Sequence, residues 1–272
     1  MPWKKSSFYP IPISIALLIG LTNPASYSVR AELPSRPISI AQEIQTDWNE
    51  FEPPDRGLPG RRIGGGTRGG STSVCPSEVQ DLTALVPELT YGRTVLKYPT
   101  FLIYVPPLSE ARNMQFSLLK FAEDETYEEV YIQKFQSKWA GGVMRISLPK
   151  YGPTIEVGGN YYWDFSVSCN PDDSSGDILV SGWIERVPQS ATLAGNLQNA
   201  KESDLPDLYV KEGLWYDAAA TLASLRMSEP EDLTVASIWQ NLLASVKLGK
   251  IAEKNLQSNS TSHSSPVANQ QE

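Results

Sequence analysis

Between Tyr161 and Cys169 apolar and polar side chains alternate without a break, and this run limits what the chain can fold into more than any other feature. Tyr161, Trp163, Phe165, Val167 and Cys169 fall on one side of an extended strand, and Tyr162, Asp164, Ser166 and Ser168 on the other. A period of two marks a strand with one buried face, because successive Cβ atoms point to opposite sides of a pleated sheet. The same period recurs elsewhere. Phe101, Ile103 and Val105 alternate with Leu102 and Tyr104 before Pro106-Pro107. Met114, Phe116 and Leu118 share a face, as do Val130 and Ile132, then Met144, Ile146 and Leu148, then Ile178, Val180 and Ile184. About six short strands with turn formers between them predict a mainly β, antiparallel sandwich over 75–188. The turn Val157-Gly158-Gly159-Asn160 just before Tyr161 points to the immunoglobulin or fibronectin-like type. There a Tyr at the start of a strand bonds back to the preceding corner.

After Pro188 the period lengthens. Leu205, Leu208 and Tyr209 share a helical face that Gly213 closes. Trp215, Ala218, Leu222 and Leu225 follow at helical spacing and stop before Pro230; Ile238, Leu242 and Val246 continue it, with Asp232 or Thr234 as the cap. The register resembles a tetratricopeptide (TPR) repeat, and residues 189–252 are predicted as a small TPR-like helical unit. One repeat and part of a second are too few to stand alone, so the unit should pack on the sandwich. The Ser/Asn/Gln-rich residues 253–272 are predicted as a disordered tail.

The N-terminus reads in the order of a signal peptide. Lys4 and Lys5 precede an apolar run from Ile11 to Leu21, and Val29-Arg30-Ala31 fits a cleavage site, with Ala25 marking an earlier alternative. The run is shorter than the roughly 20 residues a spanning helix needs, so no stable membrane span is expected after cleavage. Residues 1–31 are therefore read as a signal peptide, and the protein as exported, to the periplasm or the extracellular space. Residues 32–74, rich in Pro, Gly, Ser and charge, are predicted as a flexible linker. The first 31 residues hold Lys4, Lys5, Arg30 and no acid, so the remainder carries 20 basic against 31 acidic side chains, net −11. That balance disfavours wholesale nucleic-acid binding. The chain has two cysteines, Cys75 and Cys169. Outside the cytoplasm such a pair predicts a disulfide, with two separate buried thiols as the alternative.

Few residues point to catalysis. The single histidine, His263, lies in the predicted tail, which removes a Ser-His-Asp or Cys-His centre from the folded body. No cofactor motif is found. The glycine run from Arg61 to Gly70 lacks the strand, helix and Lys-Ser/Thr end of a phosphate loop, and reads as a basic linker; Arg61, Arg62 and Arg68 are kept as candidates for docking a partner. Asn170, Asp172, Asp173 and Asp177 form a cluster of oxygen donors between two strands, a weak calcium candidate whose spacing misses the EF-hand pattern. Glu123, Asp124, Glu125, Glu128 and Glu129 flank another hairpin, where paired carboxylates could act on a glycan or merely solvate a turn. Trp183 alternates onto the side opposite Ile184, where it either anchors a partner or packs between layers.

A wider set of residues resembles a known family. It comprises Gly60-Arg61-Arg62, Gly64-Gly65-Gly66-Thr67-Arg68-Gly69, Cys75, Leu82-Thr83-Ala84-Leu85-Val86-Pro87, Tyr98-Pro99-Thr100-Phe101, Tyr104-Val105-Pro106, Gly158, Tyr161, Trp163, Cys169, Gly182-Trp183-Ile184 and Gly213 with Trp215-Tyr216-Asp217-Ala218. Together these are similar to the cyanobacterial domain-of-unknown-function 928 family over about 58–250. The resemblance implies an exported cyanobacterial protein and transfers no activity or catalytic residue. The resulting expectation is a non-enzymatic binding or assembly protein of the cell envelope, with an envelope protein as partner. The alternatives are a carboxylate-based hydrolase acting on envelope glycans, with two acids about 5–10 Å apart across a cleft, and a purely structural secreted protein.

Overall fold

The computed structural model describes residues 46–48, 57–66, 75 and 77–256. The signal peptide, most of the linker, Arg68, His263 and the tail beyond Leu256 lie outside the described residues. Alternating apolar residues form the six strands where the period predicts them: β4 (Thr100–Val105), β5 (Arg112–Phe121), β6 (Tyr127–Ser137), β7 (Gly142–Ser147), β8 (Asn160–Val167) and β9 (Ile178–Arg186). Tyr161, Trp163, Phe165, Val167 and Cys169 are all buried. Three further strands precede them: β1 (Arg61–Gly66), β2 (Thr83–Ala84) and β3 (Tyr91–Thr94). The hydrogen-bonded order is β6-β5-β8-β9-β1-β2-β4-β7, with β3 paired to β9. Every pairing is antiparallel except that of β3 with β9.

The sheet folds back on itself. Phe101 of β4 lies 4.8 Å from Phe116 of β5 and 5.4 Å from Trp163 of β8, ring centre to ring centre, so strands distant along the path face each other across the core. The Tyr161 hydroxyl accepts a hydrogen bond from the backbone N–H of Glu156 at 2.8 Å, which closes the corner before β8 as the sequence anticipates. Cys75 and Cys169 form a disulfide with Cα atoms 4.9 Å apart.

The expected linker is corrected in part. Arg61–Gly66 pairs with β2 on one side and β9 on the other, so its backbone groups are satisfied by the ladder although its glycines offer no side-chain period. The expected tail also begins later. The Val143 N–H donates to the Asn255 carbonyl, and Leu256 bridges to β7 in parallel.

Four helices follow the strands among the described residues: α1 (Ala191–Asn199), α2 (Leu205–Lys211), α3 (Trp215–Ser228) and α4 (Leu233–Ser245). Asp232 caps α4 by accepting from the N–H groups of Thr234 and Val235. The helices share one apolar core with the sheet and do not form a separate domain after residue 188. The first turn of α3 carries the joint. The Trp215 indole donates to the Leu85 carbonyl at 2.9 Å, and the Tyr216 hydroxyl accepts from the Trp163 indole at 2.7 Å and donates to the Trp183 carbonyl at 3.0 Å. Gly92 makes this approach possible, because a Cβ there would lie 2.9 Å from the Tyr216 ring. Asp217, 1% exposed, faces the Thr94 hydroxyl and the Val95 N–H of the sheet side.

Candidate functional site

The pairing register sets which side chains share the outer face of the β6-β5-β8-β9 wall. One row is Glu129, Leu119, Tyr162 and Trp183; the next is Ile132, Ser117, Asp164 and Ser181; a third is Lys134, Gln115, Ser166 and Leu179. The face thus has an aromatic end and a polar centre. At the aromatic end Tyr91, Tyr162 and Trp183 form a small cluster apart from the main core, joined by Leu119, Phe121 and Tyr127. Tyr162 meets Trp183 edge-on at 5.5 Å, and Phe121 does the same at 5.5 Å. At its rim the Tyr91 hydroxyl donates to Glu185 at 2.6 Å, and burial together with that carboxylate raises the phenol's pKa.

At the polar centre Gln115 Nε2 donates to Ser117 Oγ at 3.0 Å, and the Ser117 hydroxyl donates in turn to the Asp164 carboxylate. Ser181, across the strand pair from Asp164, accepts from the Arg61 backbone N–H at 2.9 Å. Asp164 is half-buried, and no cation of the described residues pairs with it. Burial pushes its carboxyl up to about 6, with Ser117 pulling the other way. A carboxylate desolvated in this way lacks donors that an incoming group could supply.

The other candidates are placed as follows. Trp183 is fully buried and cannot anchor a partner as it stands; its indole donates to the Leu58 carbonyl at 2.9 Å. Arg62 is half-buried, donates to the Val246 carbonyl at the end of α4, and has its pKa lowered by burial, so it ties β1 to the helices. Arg61 is exposed on β1. The loop of the calcium candidates uses several of its oxygens to close its own turns. Asn170 Oδ1 accepts from the Asp172 N–H, Asp173 Oδ1 from the Ser175 N–H, and Asp177 Oδ1 from the Cys169 N–H. These are turn-closing bonds, and among the described residues no group of three or more His, Cys, Asp or Glu is placed to hold a metal ion.

The acidic hairpin opens on a cleft of about 840 Å³, lined in part by Lys120, Glu123, Glu125, Glu128, Glu156 and Asn160. Lys120 pairs with Glu156 at 2.6 Å, and this bond holds the Glu156 carboxyl below its usual range. A general acid for glycan cleavage needs the opposite shift.

Sequence reasoning placed Asp164 correctly on the polar side of β8 but gave it no role. The signal that singles it out is its register between Ser117 and Ser181, which no single strand displays.

The family described as Domain of Unknown Function (DUF928) matches the chain over residues 63–256. No curated protein matches it. Among solved structures, the chain is similar to the third fibronectin III domain of human KIAA0343 protein at 13% identity and a TM-score of 0.23, covering 46% of this chain and 97% of that one. It is also similar to a structure described as pT26-6p at 13% identity and a TM-score of 0.20, covering 64% of this chain and 40% of that one. At these TM-scores neither likeness carries an argument, and the reading rests on the geometry.

Proposed function

Since the chain belongs to the DUF928 family, whose description assigns no activity, we propose from its geometry that it is an exported, non-enzymatic binding or assembly protein of a cyanobacterial cell envelope. The observation that carries this is the half-buried Asp164 at the centre of a broad sheet face, with Ser117 its hydrogen-bond donor and, among the described residues, no cation paired with it. A ligand or partner that offers hydrogen-bond donors there relieves the cost of that burial.

The export part is supported by the signal-like order of Lys4, Lys5, Ile11 to Leu21 and Ala31, and by the Cys75–Cys169 bridge, which suits an oxidising compartment. Among the described residues no helix is long and apolar enough to cross a membrane. The spacing of Trp215, Ala218, Leu222 and Leu225 supports a TPR-like origin for the helices, here spent on packing against the sheet. Hydrolysis is the weaker reading. Asp164 is shifted upward by burial against the pull of Ser117, not by a second carboxylate, and Glu156 is shifted downward.

The test is affinity capture from cyanobacterial envelope extract, with the mature protein and its Asp164→Asn variant as baits. Specific recovery of an envelope component by the first bait, reduced at least tenfold with the second, is expected. Recovery of nothing above control by the unaltered bait overturns the proposal.

A further inference from the structure

We propose that the aromatic end of the outer face is a subsite for a glycine-containing peptide backbone, and that Gly57-Leu58 of the chain itself fills it. This rests on the binding reading above and names a ligand class for the same face. Both backbone groups of Leu58 are read by side chains of the wall. Its N–H donates to the Tyr127 hydroxyl at 2.7 Å, and its carbonyl accepts from the Trp183 indole at 2.9 Å. These two side chains come from β6 and β9, at opposite sides of the wall, so the main chain runs across the strands that carry them.

The Leu58 side chain itself is 44% exposed, so it contributes little to recognition. The residue before it is constrained far more. A Cβ on Gly57 would lie 2.2 Å from the Trp183 ring, so only glycine lets the backbone sit on the indole. The subsite therefore selects a glycine followed by almost any residue. Its floor of Tyr91, Tyr162 and Trp183 is held by β3, β8 and β9, which pair with one another and not with the segment above them. The ladder that fixes the N-terminal segment begins only at Arg61. Gly57-Leu58 thus occupies the site through backbone contacts that a partner's peptide can duplicate, and the Asp164 row lies directly beside it.

The probe is a fluorescently labelled synthetic peptide with the sequence of residues 54–60, Pro-Asp-Arg-Gly-Leu-Pro-Gly, titrated into the full mature protein. Gly57→Val drives the protein's own segment off the indole. The variant should bind the peptide at least tenfold more tightly than the unaltered protein, and a peptide with Val in place of its first Gly should not bind. A folded Gly57→Val protein that binds no better than the unaltered one, or that does not distinguish the two peptides, overturns the inference. If Gly57→Val does not fold, Tyr127→Phe decides instead. By removing the acceptor for the Leu58 N–H, it should raise acrylamide quenching of tryptophan fluorescence, and unchanged quenching overturns the inference. Loss of peptide binding with Asp164-dependent capture intact removes this subsite alone; loss of both removes the binding reading as well.

Discussion

The indole of Trp163 donates to the hydroxyl of Tyr216 at 2.7 Å, so a strand in the middle of the wall and the first turn of a helix share one buried hydrogen bond. The same hydroxyl donates to the Trp183 carbonyl on the neighbouring strand. Tyr216→Phe keeps the ring but orphans a buried donor and a buried acceptor, which costs about 1–3 kcal/mol. Urea unfolding followed by circular dichroism should show that loss as a lower midpoint. The transition should stay single, because helices and sheet share one core. Two separated transitions in the unaltered protein would contradict the shared core.

Asp217 and Asp164 make stability depend on pH in the same direction. Burial raises Asp217 from 3.8 to about 7 and Asp164 from 3.8 to about 6. Well below pH 4 both are protonated whether the chain is folded or not, and neither costs anything. As pH rises the unfolded chain ionises first, so the folded state loses ground until each group passes its own folded value. For Asp217 the full effect is on the order of 4 kcal/mol. Melting temperature should fall between pH 4 and pH 7, and Asp217→Asn should flatten the lower-stability arm. A melting temperature that rises over this range in the unaltered protein would be inconsistent with the burial of both groups.

Reduction of Cys75–Cys169 opens a loop with a sequence separation of 94. Loop-closure entropy assigns about 4–5 kcal/mol to a bridge of that span. Unfolding in the presence of a reductant that fully frees both thiols should shift the urea midpoint accordingly. No shift would mean that the unfolded chain gains little freedom when the bridge opens.

Tyr161→Phe tests the corner before β8. It removes the acceptor for the Glu156 N–H and nothing else from the core, and should cost about 1 kcal/mol. Hydrogen exchange should speed up at Glu156 while the amides of β8 remain protected. Faster exchange throughout β8 would mean that the hydroxyl supports the strand and not merely the corner.

The sequence carried the fold wherever side chains alternate. β4 to β9 could be read because each has one apolar face, and Tyr161 and Asp232 because their local partners lie within a few residues. β1 escaped because Gly64, Gly65 and Gly66 have no side chains to alternate, and β3 because its parallel partner β9 lies some ninety residues away. α1 buries only Leu193 and shows no stripe. The site was half legible. Asp164 was on the correct face, but its neighbours Ser117 and Ser181 come from other strands, and Trp183 is covered by Gly57 and Leu58 from far along the chain.

One edge of β9 is shared by β1, running against it, and β3, running with it. The strand that comes first in the chain is thus completed by the strand that comes last. During synthesis or passage through a pore from the N-terminus, β1 waits until Ile178 to Ser181 has emerged. Until then its backbone groups toward β9 face water, and the aromatic floor formed by β8 and β9 does not yet exist. The final closure of the wall therefore also creates the surface on which the protein is proposed to act.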